Sequence, residues 1–202
     1  MEEQRKIINL DATQIAALKL NAVRDRFYAA RISIALAIRL LDRSDPFFNP
    51  FSVLDELDYL EGMRATSRTK PEAPFKDAAL QPFYHKHFSS SKHLLKNLDI
   101  RWNLANGGNR DLDRMIRDVA KEFGENHDQW VGNLAHRLVM EGYMQRVKRG
   151  LTGDWIIFAK HEGVNYYLDL ATHEEGLGEQ AAELAKKLRD GSAADFPFLF
   201  EQ

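Results

Sequence analysis

Cysteine is absent from all 202 residues, which excludes disulfides, thiolate metal sites and a cysteine nucleophile together. Any metal would have to be held by His, Asp or Glu. Long hydrophobic runs are missing too: the most apolar segment, Ile32 to Ile38, is flanked by Arg31 and Arg39 and is far shorter than the roughly 20 residues a membrane helix needs. The opening residues "MEEQRKIINL" lack the apolar stretch of a secretory signal, so a soluble, cytoplasmic protein is expected. Neither sign of charge dominates; a formal net charge of −2 argues against nucleic acid as a tight partner, since such domains are usually strongly basic. Dinucleotide and phosphate-loop glycine patterns, HExxH and the nucleophile elbow are all lacking, as are internal repeats and low-complexity tracts. No cofactor is called for.

The residues that are present describe an α+β protein, a mainly helical body over residues 1–150 followed by a hairpin, a final helix and an apolar tail over 151–202, together one compact domain. Asp11 with Gln14 three residues on forms a capping-box pattern opening a long helix from Ala12 to Asp42. A short helix follows in "SVLDELDYLEG", with Ser52 as cap and Gly62 as stop. Residues 62–79 read as a long basic surface loop carrying Arg64, Arg68, Lys70 and Lys76. Leu112, Met115, Ile116, Val119 and Phe123 mark one helix closed by Gly124, and residues 127–149 form another. Arg146, Lys148 and Arg149 at its end suit the negative pole of the helix dipole.

From Asp154 the period becomes two, and "DWIIFAKHEGVNYYLDLATH" reads as a hairpin turning at Glu162 and Gly163. Trp155, Ile157 and Ala159 share a core face with Tyr166, Leu168 and Leu170. The other face, carrying Ile156, Phe158 and Tyr167, reads as only partly covered. A third strand is expected from "KIINL", because a lone hairpin is marginal. The last helix spans residues 177–190, with Leu177, Leu184, Ala185 and Leu188 together, and the tail "ADFPFLF" is too apolar to lie in solvent.

Three histidines fall in "QPFYHKHFSSSKHLLKNL". Laid on a helix, Phe83, Tyr84, Phe88, Leu94, Leu95 and Leu98 occupy an arc of roughly 140°. His87 lands inside that arc, His85 at its margin and His93 outside. A helix separates His85 and His87 by roughly 200°, so a metal held by this pair is only a lesser alternative, open if Pro82 keeps the segment extended. Lys19, Arg26 and Ser33 recur at intervals of seven on the apolar side of the first helix. Arg26 needs a partner, and Glu141, which falls with Trp130, Val131, Leu134, Ala135 and Leu138 on the 127–149 helix, is the candidate. His161 and His173 lie at opposite ends of the hairpin, and His127 and His136 read as surface residues.

Two functions follow. The first is a protein-binding or regulatory module of the inhibitor or immunity type, acting through Phe158, Tyr167, Phe196, Phe198 and Phe200. The alternative is a small cysteine-free hydrolase or nuclease with His87, Glu141 and Arg26 in one pocket. Whether it is an enzyme is left open. The expected partner is another protein, with a small anionic ligand as the other candidate; no membrane association is expected, and the oligomeric state is not legible.

Overall fold

The structure, a computed structural model, describes residues 9–46, 48–89, 93–124, 127–151 and 153–201. Among these residues the chain is α+β, with seven α-helices and a four-stranded antiparallel sheet ordered β1-β2-β3-β4. The helices are α1 (Ala12–Ala22), α2 (Ile34–Leu41), α3 (Pro50–Leu60), α4 (Leu94–Trp102), α5 (Arg110–Phe123), α6 (His127–Arg149) and α7 (Gln180–Ser192). The strands are β1 (Ala73–Pro74), β2 (Tyr84–Phe88), β3 (Asp154–His161) and β4 (Val164–Ala171). No helix of the described residues is long and apolar enough to cross a membrane.

Two compact units are present, one made of Met1–Ser44, Pro74–His85 and Ile156–Gln202, the other of Asp45–Ala73 and Lys86–Trp155. Each is assembled from separated segments, so neither coincides with the 1–150 and 151–202 parts read from the sequence.

In the first unit the capping box forms as expected: Asp11 accepts from the Gln14 N–H at 2.8 Å, and the Gln14 side chain accepts from the Asp11 N–H at 2.9 Å. The single helix expected from Ala12 to Asp42 is instead two. Arg24 and Asp25 take left-handed conformations with φ of 53° and 60°, which no α-helix accommodates. The polar residues at intervals of seven belong to this break. Lys19 pairs with Asp195 at 2.5 Å. Arg26 donates to the carbonyl of Val23 at 2.9 Å. Ser33 caps α2 through the Leu36 N–H at 2.9 Å and donates to the Leu168 carbonyl.

The hairpin turns at Glu162 and Gly163, both with positive φ, as a type I′ connection demands. Of its expected core face, Trp155, Ile157, Ala159, Leu168 and Leu170 are buried, whereas Tyr166 is half-buried. The other face differs: Ile156, Phe158 and Tyr167 have no exposure at all. Tyr28 packs edge-on against Tyr167 and Tyr84 lies 5.6 Å from the Phe158 ring, so the aromatic residues supply a second buried layer. The tail docks on the first unit, with Phe196 5.2 Å from Tyr166 and Phe200 5.7 Å from Phe83. Leu177 precedes α7 and is exposed rather than joining Leu184 and Leu188 in the core. The strand expected in "KIINL" falls largely outside the described residues, and Asn9 and Leu10 are not in a strand. β1 and β2 complete the sheet.

In the second unit α5 starts at its Asn109 cap and packs with α4 and α6 around Leu98, Trp102, Leu112, Met115 and Val119. Trp130, Leu134 and Leu138 of α6 pack on that cluster, whereas Val131, Ala135 and Glu141 are exposed. α3 is capped by Asn49, not Ser52, through the Phe51 N–H at 3.0 Å, with Pro50 in its first turn. Pro suits that position because its missing N–H is not needed there. Gly62 follows the helix end with φ of 73°.

The largest correction concerns the histidine segment. Residues 84–88 form β2, and the helix begins only at Leu94. Pairing with β1 and β3 in the sheet sets the extended conformation of β2, and the helical arc joins side chains of that strand to those of a separate helix.

Replacing Ser33 by Ala removes both the α2 cap and a donor to the buried Leu168 carbonyl. A loss of about 1–3 kcal/mol is expected, read as a lowered urea midpoint at unchanged slope.

Candidate functional site

In the second unit, residues after α3 are fastened to the chain just before β3. Thr69 forms a parallel bridge to Leu151, whose N–H donates to the Arg68 carbonyl at 2.9 Å. This pairing places the hydroxyls of Ser67 and Thr69 over β2. There Lys86 lies with no exposure at all, the side chain whose burial costs most unless it is paired.

Its ammonium is fully engaged. Nζ donates toward Ser67 Oγ at 2.8 Å, Thr69 Oγ1 at 2.5 Å and the Lys70 carbonyl at 2.7 Å, and lies 2.9 Å from Glu56 Oε2. Four acceptors thus surround three N–H bonds. The Tyr59 ring adds a cation–π contact at 5.3 Å. Burial pushes the Lys86 amine below the ordinary lysine range, while the charge of Glu56 and its hydrogen bond act in the opposite direction.

Glu56 comes from the buried side of α3, beside Val53, Leu54 and Leu57. Its Oε2 also accepts the Ser67 hydroxyl at 2.6 Å, while Ser67 Oγ accepts the Thr69 N–H at 3.1 Å. Thr69 Oγ1 donates its own hydrogen bond to the His87 carbonyl at 2.7 Å. The four side chains form one closed network.

Glu56, Ser67 and Thr69 line a cavity of about 750 Å³, within the range of small-molecule sites. Arg64 lines it paired with Asp55. Arg68 lines it too, exposed and with no ion-pair partner among the described residues. Phe48, Phe51, Leu94, Val139 and Met140 supply an apolar wall. The cavity therefore offers a hydroxyl, a carboxylate and a guanidinium to one ligand, with the Lys86 charge buried behind them.

The residues singled out in the sequence lie elsewhere. His87 is buried, as expected, but its Nδ1 is 3.0 Å from the Gly153 carbonyl and its ring stands edge-on to Trp155. Gly153 permits this because a Cβ there would meet the Phe88 carbonyl oxygen at 1.8 Å. Strand alternation puts His85 and His87 on the face opposite Lys86, and His85 packs against Phe75 at 4.7 Å. No group of three His, Asp or Glu suited to a metal occurs among the described residues. Glu141 lines a separate polar pocket of about 380 Å³ with Arg101, Asp111 and Arg137. Arg26 belongs to the first unit, so the three residues proposed as one catalytic set are not assembled in the cavity of the second. Of the proposed partner-binding residues, Phe158, Tyr167, Phe196 and Phe200 are buried and Phe198 is 38% exposed.

Glu56, Ser67 and Lys86 were not selected by sequence reasoning. The available signal was the helical spacing of Val53, Leu57 and Leu60, which puts Glu56 on their apolar face, the same kind of interruption as Arg26 and Glu141. Compared with known proteins, the chain matches no family model, no curated protein and no solved structure.

Replacing Lys86 by Met strands the Glu56 carboxylate and is expected to cost about 3–5 kcal/mol, most of it regained when Glu56 is changed to Leu as well. Because the folded-state pKa of Lys86 is lowered, the folded chain binds fewer protons than the unfolded one between that pKa and the ordinary lysine value. Parent stability therefore gains with rising pH across that alkaline interval. Urea titrations of parent and Lys86→Met should show the gap widening there.

Proposed function

We propose that the protein is a small cysteine-free hydrolase working in the cavity of the second unit, with Ser67 as nucleophile and Glu56 as its base. The observation that carries this reading is a serine hydroxyl at the wall of a cavity that donates to a buried carboxylate at 2.6 Å, with a fully buried ammonium behind it at 2.8 Å. A nucleophile oriented by a base that is itself held by a third group is the general arrangement of covalent hydrolysis.

In this reading the Ser67 proton passes to Glu56 Oε2 as Oγ attacks an acyl carbon. The Lys86 charge and the Thr69 N–H ease removal of the Oγ proton, one of these two donors giving up its Oγ lone pair as the bond to the acyl carbon forms, and Arg68 at the cavity wall receives the charge growing on the acyl oxygen. Glu56 then returns the proton to the departing alcohol or amine. Water, deprotonated by the same carboxylate, releases the acid and restores Ser67. Lys86 is a positioning residue here, since it has no surface in contact with a ligand.

The alternative chemistry of the network is purely structural: Ser67 and Thr69 satisfy a buried lysine. The two differ in what a hydroxyl deletion does. In the hydrolase, a fluorophosphonate probe attaches to Ser67 of the folded parent, and Ser67→Ala abolishes labelling and lowers kcat for aryl esters by 10³-fold or more, with circular dichroism unchanged. A parent chain that takes up no probe and turns over no ester, or a Ser67→Ala protein with full turnover, would contradict the assignment. The protein-binding reading keeps only Phe198 as an exposed member of its aromatic set.

A further inference from the structure

The chemistry above uses only the polar side of the cavity and leaves its wall unexplained. Phe51 of α3, Leu94 of α4, and Val139 and Met140 of α6 are 47%, 37%, 40% and 49% exposed, yet all four line this one cavity. They come from three helices of the same unit. Scattered exposed apolar residues need no explanation, whereas a set converging on a concave site does.

α6 shows how the convergence arises. Trp130, Leu134 and Leu138 pack on the cluster around Trp102. Val139, Met140 and Tyr143, spaced three and four apart, form a second face turned to the cavity. One helix thus serves two apolar surfaces, of which only one is filled by this unit's own core.

We infer that this wall receives an apolar acyl or aryl group, so that the substrate is an ester or amide of a medium-chain or aromatic acid. The ester or amide bond rests on the hydrolase reading; the apolar group rests on the wall. A ligand with a polar acyl head at Glu56, Ser67 and Arg68 and an apolar body against Phe51, Leu94, Val139 and Met140 matches both sides of the cavity at once. A wholly apolar ligand would cover the exposed Arg68 guanidinium without pairing it. A highly charged one would leave the wall exposed.

Two measurements separate this inference from the reading it extends. In the first, Ser67→Ala protein, which cannot form the acyl-enzyme, is titrated with the fluorescent acid 11-(dansylamino)undecanoic acid. Saturable one-to-one binding is expected, weakened at least tenfold by adding Val139→Asp and Met140→Asp, and unaffected by Phe27→Asp, a change at an exposed aromatic of the other unit. Absence of binding, or binding indifferent to the wall substitutions, overturns the inference.

In the second, parent protein is assayed on p-nitrophenyl esters from acetate to octanoate. The inference expects kcat/KM to rise by up to about fourfold per added methylene, and a flat series contradicts it while leaving the hydrolase standing. Probe binding without turnover of any ester does the reverse: it supports the ligand class and removes the hydrolase. Sedimentation across a range of protein concentrations should give a monomer. Dimerisation abolished by the Val139 and Met140 substitutions would overturn the inference, because a second copy would then cover the wall.

Discussion

A single buried ammonium sets the terms for the second unit. Taking a lysine wholly out of water costs several kcal/mol even after relaxation, so a chain that buries Lys86 must supply acceptors in a fixed arrangement. Two separated stretches supply them, α3 giving Glu56 and the following connector giving Ser67, Thr69 and the Lys70 carbonyl, to a lysine carried by β2. The Thr69 bond to the His87 carbonyl then returns the network to the strand from which it began. Withdrawal of any one partner leaves another buried and unsatisfied, which ties the conformation of the connector to that of the strand.

This constraint also accounts for the chemistry available at the cavity. Hydroxyls on a surface connector rotate freely, but Ser67 is held by a carboxylate acceptor, an ammonium donor and a backbone donor. In the proposed hydrolysis this orientation of the Ser67 proton toward Glu56 is already imposed by folding. The apolar wall is independent of the network and belongs to the helices. Polar reactivity and apolar capacity therefore meet in one cavity by separate structural routes.

What was legible in the sequence was what local forces decide. The Asp11–Gln14 capping box, the spacing of Leu112, Met115 and Val119, and the Glu162–Gly163 turn each carry their signal within a few residues, and each appears in the structure where it was read. The errors arose where a tertiary contact outweighed a local pattern. "YHKHF" hides a strand because both of its faces are buried, one with Lys86 between Tyr84 and Phe88 and the other with His87, so no alternation of polar and apolar residues marks it. The break after Ala22 was masked by the apolar residues on both sides of it, although Lys19, Arg26 and Ser33 marked it. Phe158 and Tyr167 read as half-covered because their neighbours Lys160, Asn165 and Asp169 are polar; Asp169 is itself buried against Arg39 at 2.9 Å. The candidate site suffered most, since Glu56, Ser67 and Lys86 span 30 residues and only the fold brings them within hydrogen-bond reach.

The central claim is that Lys86 is held as a buried ammonium by Glu56, Ser67 and Thr69, and the most direct test is nitrogen-15 NMR of the lysine side chains at neutral pH. The account predicts one ammonium signal, lost in Lys86→Met, whose protons exchange with water far more slowly than those of the exposed lysines and show couplings to hydrogen-bonded acceptors. An Nζ shift typical of a neutral amine, or proton exchange as fast as at the surface, would contradict it.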